Sequence, residues 1–482
     1  MTKKAKDRIE RVKKALEKQK IRSIKDLESY KLSVCHPCSA GIDIGSREIY
    51  VGINPEIATE LGIPIVHTFS TYTSGLKECV ELLLYCGITD VAMESTSVYW
   101  KNLYDALERA GISPCLVNPK KFRMVPGRKT DVLDCQWLQT LHMYGLMSGS
   151  FIPDSRIRAL RSYMRERDNL LKDRNRYIQR MQKAMVEMNL MLVNAVSDIT
   201  GKTGTAIIEA ILSGERDPQR LAALRDGRTK KGVEEIALSL EGDYKDEQLY
   251  LLQSNYDTYK FLNGQLGRLD SKIEELLETF PLKTDTSREP DTVNPSKGNG
   301  KPQGRRKGKN DLKTKCDLGE RLEAICGVNL SSVTGLQSNT ILQVISEVGI
   351  DMSRFPSAKC FASYLGFTPH NKITGGVIIS SRTDRIKSHA AQAFKKVVPS
   401  ISQGKTALAA FYHRIAAKAG TGKAIVAVCR KLAICYWNVL TKGTEYIEMG
   451  QESYRIRQQQ KEKALLAKLA RKHQFCLVPD SL

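Results

Sequence analysis

The chain has 482 residues and a net charge of +22, with 75 Lys and Arg against 53 Asp and Glu and a pI of about 9.4. Its length exceeds one ordinary hydrophobic core, so we expect two or three domains. The positive charge favours a polyanionic partner, because Lys and Arg that neutralise phosphates release counterions, and nucleic acid is the leading candidate.

The apolar stretches indicate a cytoplasmic protein without a membrane partner. The run at 424–428 is broken by Arg430 and Lys431 long before it could span a bilayer, and the N-terminus has no apolar signal core. The 12 cysteines are scattered, as expected of reduced thiols. Cys35 and Cys38 alone have metal-ligand spacing, and because no second close pair follows, we favour ordinary thiols over zinc.

The N-terminal third predicts a basic arm followed by a mixed α/β domain. Residues 1–38 are rich in Lys and Arg, and residues 39–153 alternate strand and helix patterns in a βββαβα order. Strands are predicted over 40–53 (a hairpin), 64–70, 90–93 and 114–117. Helices are predicted over 74–85, 99–110 and 130–144. This order predicts an RNase H-like mixed sheet with flanking helices.

The middle of the chain predicts a long helical spacer over 154–283. Its first helix, from 154 to about 196, has an apolar stripe that needs a partner. Coiled-coil pairing with another chain or packing on a later helix, around 249–280, would both bury the stripe. We favour an antiparallel hairpin with oligomer contacts.

A basic, apolar-poor segment over 284–315 predicts a disordered linker and a domain boundary. The linker could bind RNA, span between parts of an active site, or be a tolerated insertion. A mainly α domain over 316–446 and a basic tail over 447–482 follow.

Four carboxylates in the α/β domain predict a metal site. Asp43 interrupts a strand pattern, Glu94 ends another, and Asp131 and Asp134 share one side of the first turn of a helix. Four acids in one pocket need a cation, and oxygen ligands suit Mg²⁺. The alternative is that Asp131 merely favours a helix N-terminus and Glu94 belongs to a cap. We favour the metal site because the four acids together follow the strand, strand, helix order of an RNase H-like fold.

The Asp43 motif, Gly-Ile-Asp-Ile-Gly at 41–45, also suits the phosphate loop of actin-like kinases and chaperone ATPases. That interpretation needs a second phosphate loop. The only similar triplet, at 317–319, runs into a helical pattern instead of a strand, so the ATPase fold is poorly supported.

Several runs resemble the RuvC-like DEDD transposases of the insertion-sequence one-ten family. They are the motif at 41–45, Met-Glu-Ser-Thr at 93–96 and, most specifically, Val-Pro-Gly-Arg-Lys-Thr-Asp-Val-Leu-Asp-Cys-Gln-Trp at 125–137. In the second domain, Phe-Ala-Ser-Tyr-Leu-Gly-Phe-Thr-Pro at 361–369 and Ile-Thr-Gly-Gly at 373–376 match as well. The resemblance covers most of 39–446 and leaves out the arm, the linker and the tail.

The resemblance implies a DNA recombinase that excises and inserts its element. It implies double-stranded donor and target DNA, a noncoding bridge RNA that guides their choice, and a homo-oligomer, a dimer or tetramer. It also implies that the four acids bind Mg²⁺ and that a serine followed by glycine in the C-terminal transposase domain attacks DNA to form a covalent intermediate.

The chain departs from the family at that nucleophile, where it has Thr374 followed by glycine. Thr keeps the hydroxyl, but its β-methyl restricts χ1 and crowds the approach to phosphorus. Thr374 ranks first. Ser380 or Ser381 could replace it, metal-bound water could act instead, or the copy could be inactive.

Cations near both motifs are candidate phosphate clamps: Arg128 and Lys129 beside the acid pair, and Arg382 and Arg385 beyond Thr374. Two other functions stay open. One is a RuvC-type metal-dependent junction nuclease, which the extra second domain disfavours. The other is a catalytically silent nucleic-acid-binding relative, which the four acids disfavour.

Overall fold

A computed structural model of the chain describes residues 33–95, 97–118, 131–283, 308–369, 371–383, 388–443 and 450–475. The chain divides into two compact units, Met1–Ile152 and Pro153–Leu482. The predicted basic arm up to residue 32 and the predicted linker from 284 to 307 lie outside the described residues.

The first unit contains a five-stranded mixed sheet. Its strands are β1 Ser39–Ile44, β2 Glu48–Ile53, β3 Val66–Ser70, β4 Asp90–Glu94 and β5 Ser113–Val117. The spatial order is β3-β2-β1-β4-β5, with antiparallel pairing from β1 to β3 and parallel pairing of β1 with β4 and of β4 with β5. The sheet has the predicted RNase H-like arrangement, and that prediction of the fold class is confirmed.

In the described part of this unit, four helices accompany the sheet: α1 Pro55–Leu61, α2 Thr73–Tyr85, α3 Trp100–Arg109 and α4 Asp131–Met143. The sequence analysis missed α1. Asn54 caps this helix by accepting a hydrogen bond from the Glu56 N–H, and Pro55 occupies its first turn, where a missing N–H costs nothing.

One face of the sheet carries the main core of the first unit. Ile42, Val51 and Met93 are fully buried on this face and belong to one cluster with Leu83 of α2 and Leu107 of α3. Because strand side chains alternate, the residues between these apolar positions face the opposite side of the sheet. That opposite side is covered by α4.

Two long helices, α5 Ser155–Glu187 and α10 Asp246–Glu278, pack against each other in the second unit. Four shorter helices lie between them in sequence and share a core with them: α6 Leu192–Ala195, α7 Lys202–Leu212, α8 Pro218–Ala223 and α9 Val233–Leu238. The apolar stripe of α5 is thus buried at least in part within its own chain.

The rest of the second unit is mainly α-helical, as the fold prediction stated. Its helices are α11 Leu318–Cys326, α12 Ser338–Val348, α13 Ala358–Tyr364, α14 His389–Ser402, α15 Ala407–Ala419, α16 Thr421–Lys442 and α17 Gly450–Lys472. A β-hairpin interrupts them, with strands β6 Lys372–Thr374 and β7 Val377–Ser380. The helices share an aromatic core that includes Phe361, Phe394 and Tyr436.

Within the described residues, α16 alone is long and apolar enough to cross a membrane by length and composition. Its side chains Val428, Leu432 and Tyr436 are fully buried in the second unit. A core helix has the same composition, so the length and hydropathy of α16 are weak evidence for a membrane span.

Ion pairs hold the long helix α5 to the elements around it. Arg167 donates to Asp270 of α10 at 2.6 Å, and both side chains are buried. Farther toward the start of α5, Arg165 binds both carboxylate oxygens of Glu347 in α12, at 2.8 Å each.

The last residues of the predicted disordered linker, 308–315, are packed against α10. Leu312 is 3% exposed. The N–H groups of Lys313 and Lys315 donate to Asp270 and Glu274 of α10. Residues 308–315 are therefore structured, and the segment that packs on α10 begins before residue 316.

Candidate active site

Two glycines let α4 lie unusually close to the sheet. A Cβ on Gly41 would be 2.2 Å from the Cys135 carbonyl oxygen, and one on Gly52 would be 3.0 Å from the Gln136 nitrogen. Gly41 and Gly52 pair across β1 and β2, and Ala92 is the partner of Gly41 on β4. These small residues form a flat surface on which the α4 backbone sits.

The same close packing brings the two acids of α4 toward the two acids of the sheet. Asp43 follows Gly41 by two residues and Glu94 follows Ala92 by two, so both carboxylates are on the face that α4 covers. Asp131 and Asp134 occupy the first turn of α4. The four acids thus converge at one end of the sheet, beside the N-terminus of α4.

The electrostatics of Asp43 show how close these acids are. Burial raises the pKa of Asp43 to about 6, and the negative charges of Glu94, Asp131 and Asp134 add to the increase. A cation beside Asp43 would therefore be stabilised. The four carboxylates, all ionised, repel one another.

Tyr50 also lies within electrostatic range of Asp131 and Asp43. It is the register partner of Asp43 on β2 and donates a hydrogen bond to Glu48 at 2.7 Å. That hydrogen bond raises the pKa of Tyr50, and the charges of Asp131 and Asp43 contribute further.

The four carboxylates are within electrostatic range of one another without being drawn to the spacing of a single ion's ligands. Within the described residues, the grouping in which three ligand atoms all lie within 4.8 Å of one another is His36, Asp90 and His142.

Thr374, the predicted nucleophile, is the last residue of β6 in the second unit. Gly375 and Gly376 follow it with φ of +56° and +79°, and Thr374 pairs with Val377 across this two-residue turn. Both central residues need positive φ in such a turn, which explains the two glycines. Thr374 is exposed, and its nearest neighbours in the turn carry no side chain that would shield its hydroxyl.

The alternative hydroxyls lie on the other strand of the hairpin and beyond it. Ser380 ends β7 as the register partner of Lys372 and is half-buried, whereas Ser381 and Arg382 are exposed. Thr374 and Ser380 thus belong to one short hairpin. Arg128, Lys129 and Arg385 lie outside the described residues.

Comparisons with known families match two regions of the chain, one that contains the four acids and one that contains Thr374. Residues 40–190 match a family described as a transposase of the DEDD IS110 type, and residues 328–413 match the transposase family IS116/IS110/IS902. The chain belongs to the IS110 family of transposases. No curated protein matches this transposase.

The family membership defines what this transposase does at a coarse level. It is an enzyme, a DNA transposase, and therefore binds DNA. The DEDD domain implies use of a divalent metal. The four acids fit that requirement, since their oxygens are hard ligands. Burial raises the pKa of Asp43, and the negative charges of the other three acids raise it further.

Sequence reasoning missed the residues that assemble this transposase's acid cluster. Gly41 and Gly52 show no chemistry, and their role depends on a helix that packs on them from 80 or more residues later in the sequence. The signal was present, because two glycines and Ala92 interrupt strand patterns that otherwise favour β-branched residues.

Proposed function

We propose that this transposase cuts and exchanges DNA strands in a Mg²⁺-dependent reaction that passes through a covalent protein–DNA intermediate. The observation that carries the proposal is the convergence of Asp43, Glu94, Asp131 and Asp134, expressed in the raised pKa of Asp43. These four side chains would hold Mg²⁺. When bound, the metal stabilises negative charge on the attacking and leaving oxygens of a phosphodiester.

Thr374 is the proposed nucleophile. Its Oγ forms a bond to phosphorus while the bond from phosphorus to one ester oxygen of the DNA strand breaks. The proton lost by Thr374 is balanced by the proton that the released DNA hydroxyl gains. Because one phosphate ester replaces another, a second DNA strand's hydroxyl can reverse the step and join the strands without an external energy source.

The hairpin supports this assignment physically. Thr374 is exposed at the end of β6, and the two glycines beside it leave room for a DNA backbone to approach. Arg382, also exposed, would contact phosphate, as would Arg128, Lys129 and Arg385. The residual difficulty is the β-methyl of threonine, which restricts the direction of attack.

Our proposal for the partners of the reaction is based on the family resemblance and on the net charge of the chain. We propose double-stranded donor and target DNA, a bridge RNA from the element that selects them, and a homo-oligomer, in the cytoplasm. The net charge of +22 supports polyanionic partners of both kinds. The acid-bearing domain of residues 39–153, the spacer of 154–283 and the transposase domain of 316–446 would be the working parts.

The test uses purified full-length protein, Mg²⁺, RNA transcribed from the flanking element, and labelled donor and target DNA. We expect a protein–DNA adduct that resists SDS, forms only with RNA and Mg²⁺, and carries its nucleotide on the peptide containing Thr374. Thr374→Ala and Asp43→Ala should abolish the adduct, whereas Thr374→Ser should retain it.

Ser380→Ala and Ser381→Ala are the matched controls and should leave the adduct intact. Loss of the adduct in one of these variants, with Thr374→Ala still active, would move the nucleophile to that serine. Cut DNA with free ends and no adduct would replace the recombinase with a water-using nuclease. DNA binding without any cleavage would indicate a silent relative.

A further inference from the structure

A second group of potential metal ligands lies in the first unit, away from the four acids. One ligand atom each from His36, Asp90 and His142 lies within 4.8 Å of the other two. The His36 Nδ1 is 3.7 Å from an Asp90 carboxylate oxygen, and the two imidazole rings stack with their centroids 4.4 Å apart.

The three side chains come from segments that are far apart in sequence. His36 precedes β1, Asp90 begins β4, and His142 lies in the last turn of α4. The sequence analysis set aside zinc at Cys35 and Cys38 because no second pair followed. The fold supplies partners that sequence spacing could not reveal.

Backbone hydrogen bonds fix the segment that carries His36. The N–H groups of Cys35 and His36 both donate to the Met143 carbonyl, at 2.8 and 3.0 Å. The Asn54 side chain donates to the Pro37 carbonyl at 2.7 Å. The backbone of its own segment thereby holds His36 beside the end of α4.

A hydrogen bond also orients Asp90. The Thr89 hydroxyl donates to one oxygen of the Asp90 carboxylate at 2.8 Å, and the other oxygen faces His36. Metal-binding carboxylates are commonly held in this way by a neighbouring donor, which leaves one oxygen free for the ion.

His142 is buried and has an unpaired ring nitrogen. It is 4% exposed, and its Nε2 atom is buried with no hydrogen-bond partner. A buried polar atom left unpaired destabilises the folded protein. A metal ion bonded to an imidazole nitrogen would remove such a cost.

The group is distinct from the four-acid cluster. Asp90 and Glu94 are the first and last residues of β4, so at about 3.3 Å per residue they are roughly 13 Å apart along the strand. Likewise Asp131 begins α4 and His142 lies in its last turn. One ion could not be shared between the two ends.

We propose that His36, Asp90 and His142 bind a divalent transition metal, with Zn²⁺ as the expected ion. Two imidazole nitrogens and one carboxylate oxygen are a common zinc donor set, with water in the fourth position. The two rings leave their parallel stack on binding, because each nitrogen must aim its in-plane lone pair at the ion. This site does not depend on the proposed nucleophile or on Mg²⁺.

The consequence is a clamp at the far end of α4. The ion joins the segment before β1, the start of β4 and the end of α4, and so fixes the helix that carries Asp131 and Asp134. A metal that is not part of the reaction would thus help to hold the acid-bearing helix in position.

The test is metal analysis of tag-free, full-length protein equilibrated with limiting Zn²⁺ and excess Mg²⁺, so that Mg²⁺ competes at the four acids. We expect about one zinc per chain in the unaltered protein. His142→Gln and Asp90→Asn should lose it. Thr89→Val should bind zinc about 10–100-fold more weakly, since it removes the group that orients Asp90.

His67→Gln is the matched control, because His67 of β3 also has a buried Nε2 without a partner but belongs to no group of three ligands among the described residues. It should keep the zinc, as should Asp43→Asn and the pair Cys35→Ser and Cys38→Ser. His36→Gln lies on a loop outside the core and should lose zinc while keeping the circular dichroism of the folded protein. This variant tests the site even if His142→Gln does not fold.

Three results would overturn the site. The first is the absence of bound zinc in the unaltered protein. The second is equal zinc content in His36→Gln and His67→Gln. The third is loss of zinc in the cysteine variants alone, which would replace this donor set with a thiolate site.

Discussion

At the scale of single residues, Asp43 has the most unusual environment in the acid cluster. It interrupts a strand whose neighbours Ile42 and Ile44 are buried, and it faces three other carboxylates. An ordinary structural acid would pair with a cation. Asp43 instead has a raised pKa, which is typical of functional sites.

The pKa of Asp43 predicts a pH-dependent stability in the absence of divalent ions. Its folded value of about 6 exceeds the ordinary 3.8, so the folded state binds the proton more tightly between these values. Stability should therefore rise as the pH falls from 6 toward 4, and the penalty should be fully present above 6. Because solvent reaches this half-buried group, we expect about 1–2 kcal/mol.

The measurement is hydrogen exchange of peptides from β1 and α4 in chelator-treated protein across this pH range, corrected for the intrinsic exchange rate. Asp43→Asn should flatten the dependence and be the more stable protein at pH above 6 without metal. Adding Mg²⁺ at that pH should protect the unaltered protein and not the variant. An unaltered pH dependence in Asp43→Asn would remove Asp43 as its source.

At the scale of elements, the packing of α4 on the sheet positions half of the acid cluster. A Cβ at Gly41 would lie 2.2 Å from the Cys135 carbonyl oxygen and 2.3 Å from the Gln139 nitrogen, both backbone atoms. Neither atom can move without moving the helix. Gly41→Ala should thus displace α4 and cost about 1–3 kcal/mol or more.

Thermal unfolding and DNA cleavage together measure this effect, since a displaced α4 takes Asp131 and Asp134 with it. Gly264→Ala in α10 is the control, because nothing lies within 4 Å of its added Cβ. It should stabilise its helix by about 0.5–1 kcal/mol. Normal stability and cleavage in Gly41→Ala would show that α4 does not need the close approach.

The attachment of α5 to α10 gives a second prediction at this scale. Asp270 is 3% exposed and accepts hydrogen bonds from Arg167 and the Lys313 N–H. Asp270→Ala would leave the Arg167 charge buried and unpaired, so we expect a loss of about 3–5 kcal/mol.

Asp257→Ala is the matched control on the same helix, because Asp257 forms an exposed ion pair with Lys260 at 3.3 Å. Its loss should cost about 0–1 kcal/mol. Denaturant unfolding followed by hydrogen exchange of α5 peptides compares the two variants. Equal effects would mean that the buried pair contributes no more than a surface pair.

Local patterns predicted most of the elements, and long-range packing explains what they missed. Alternating apolar residues identified the five strands of the first unit, since one face of the sheet is buried. The short helix α1 was missed because it has barely two turns and its main signal is the cap at Asn54. The long helix was predicted to about 196 but ends at Glu187, and Asn189 just beyond it has φ of +58°.

The candidate site was predictable in its residues and not in its geometry. The four acids were found from their positions at the ends of elements, and the structure brings them together on one face. Their spacing and the raised pKa of Asp43 depend on how closely α4 approaches Gly41. The His36, Asp90 and His142 group could not be predicted, because only the sheet and α4 bring these distant segments together.

At the scale of the whole molecule, the net charge of +22 makes DNA binding sensitive to salt. Counterions released from phosphates supply most of such binding. A protein with six to ten phosphate contacts loses about 10³–10⁵ in affinity between roughly 50 and 200 mM salt. We expect this transposase to fall in that range for DNA of any sequence.

Among the cations that the structure describes, Arg382 is a candidate for a direct phosphate contact. It is exposed beside the Thr374 hairpin, so Arg382→Ala should reduce the slope of log affinity against log salt by about 1 and weaken binding similarly on all sequences. Lys272→Ala is the control, because Lys272 already pairs with Glu275 at 2.6 Å and its charge is locally balanced. Fluorescence anisotropy over a salt series measures both slopes. An unchanged slope in Arg382→Ala would show that this arginine makes no phosphate contact, and the nucleic-acid surface would then have to be sought elsewhere on the molecule.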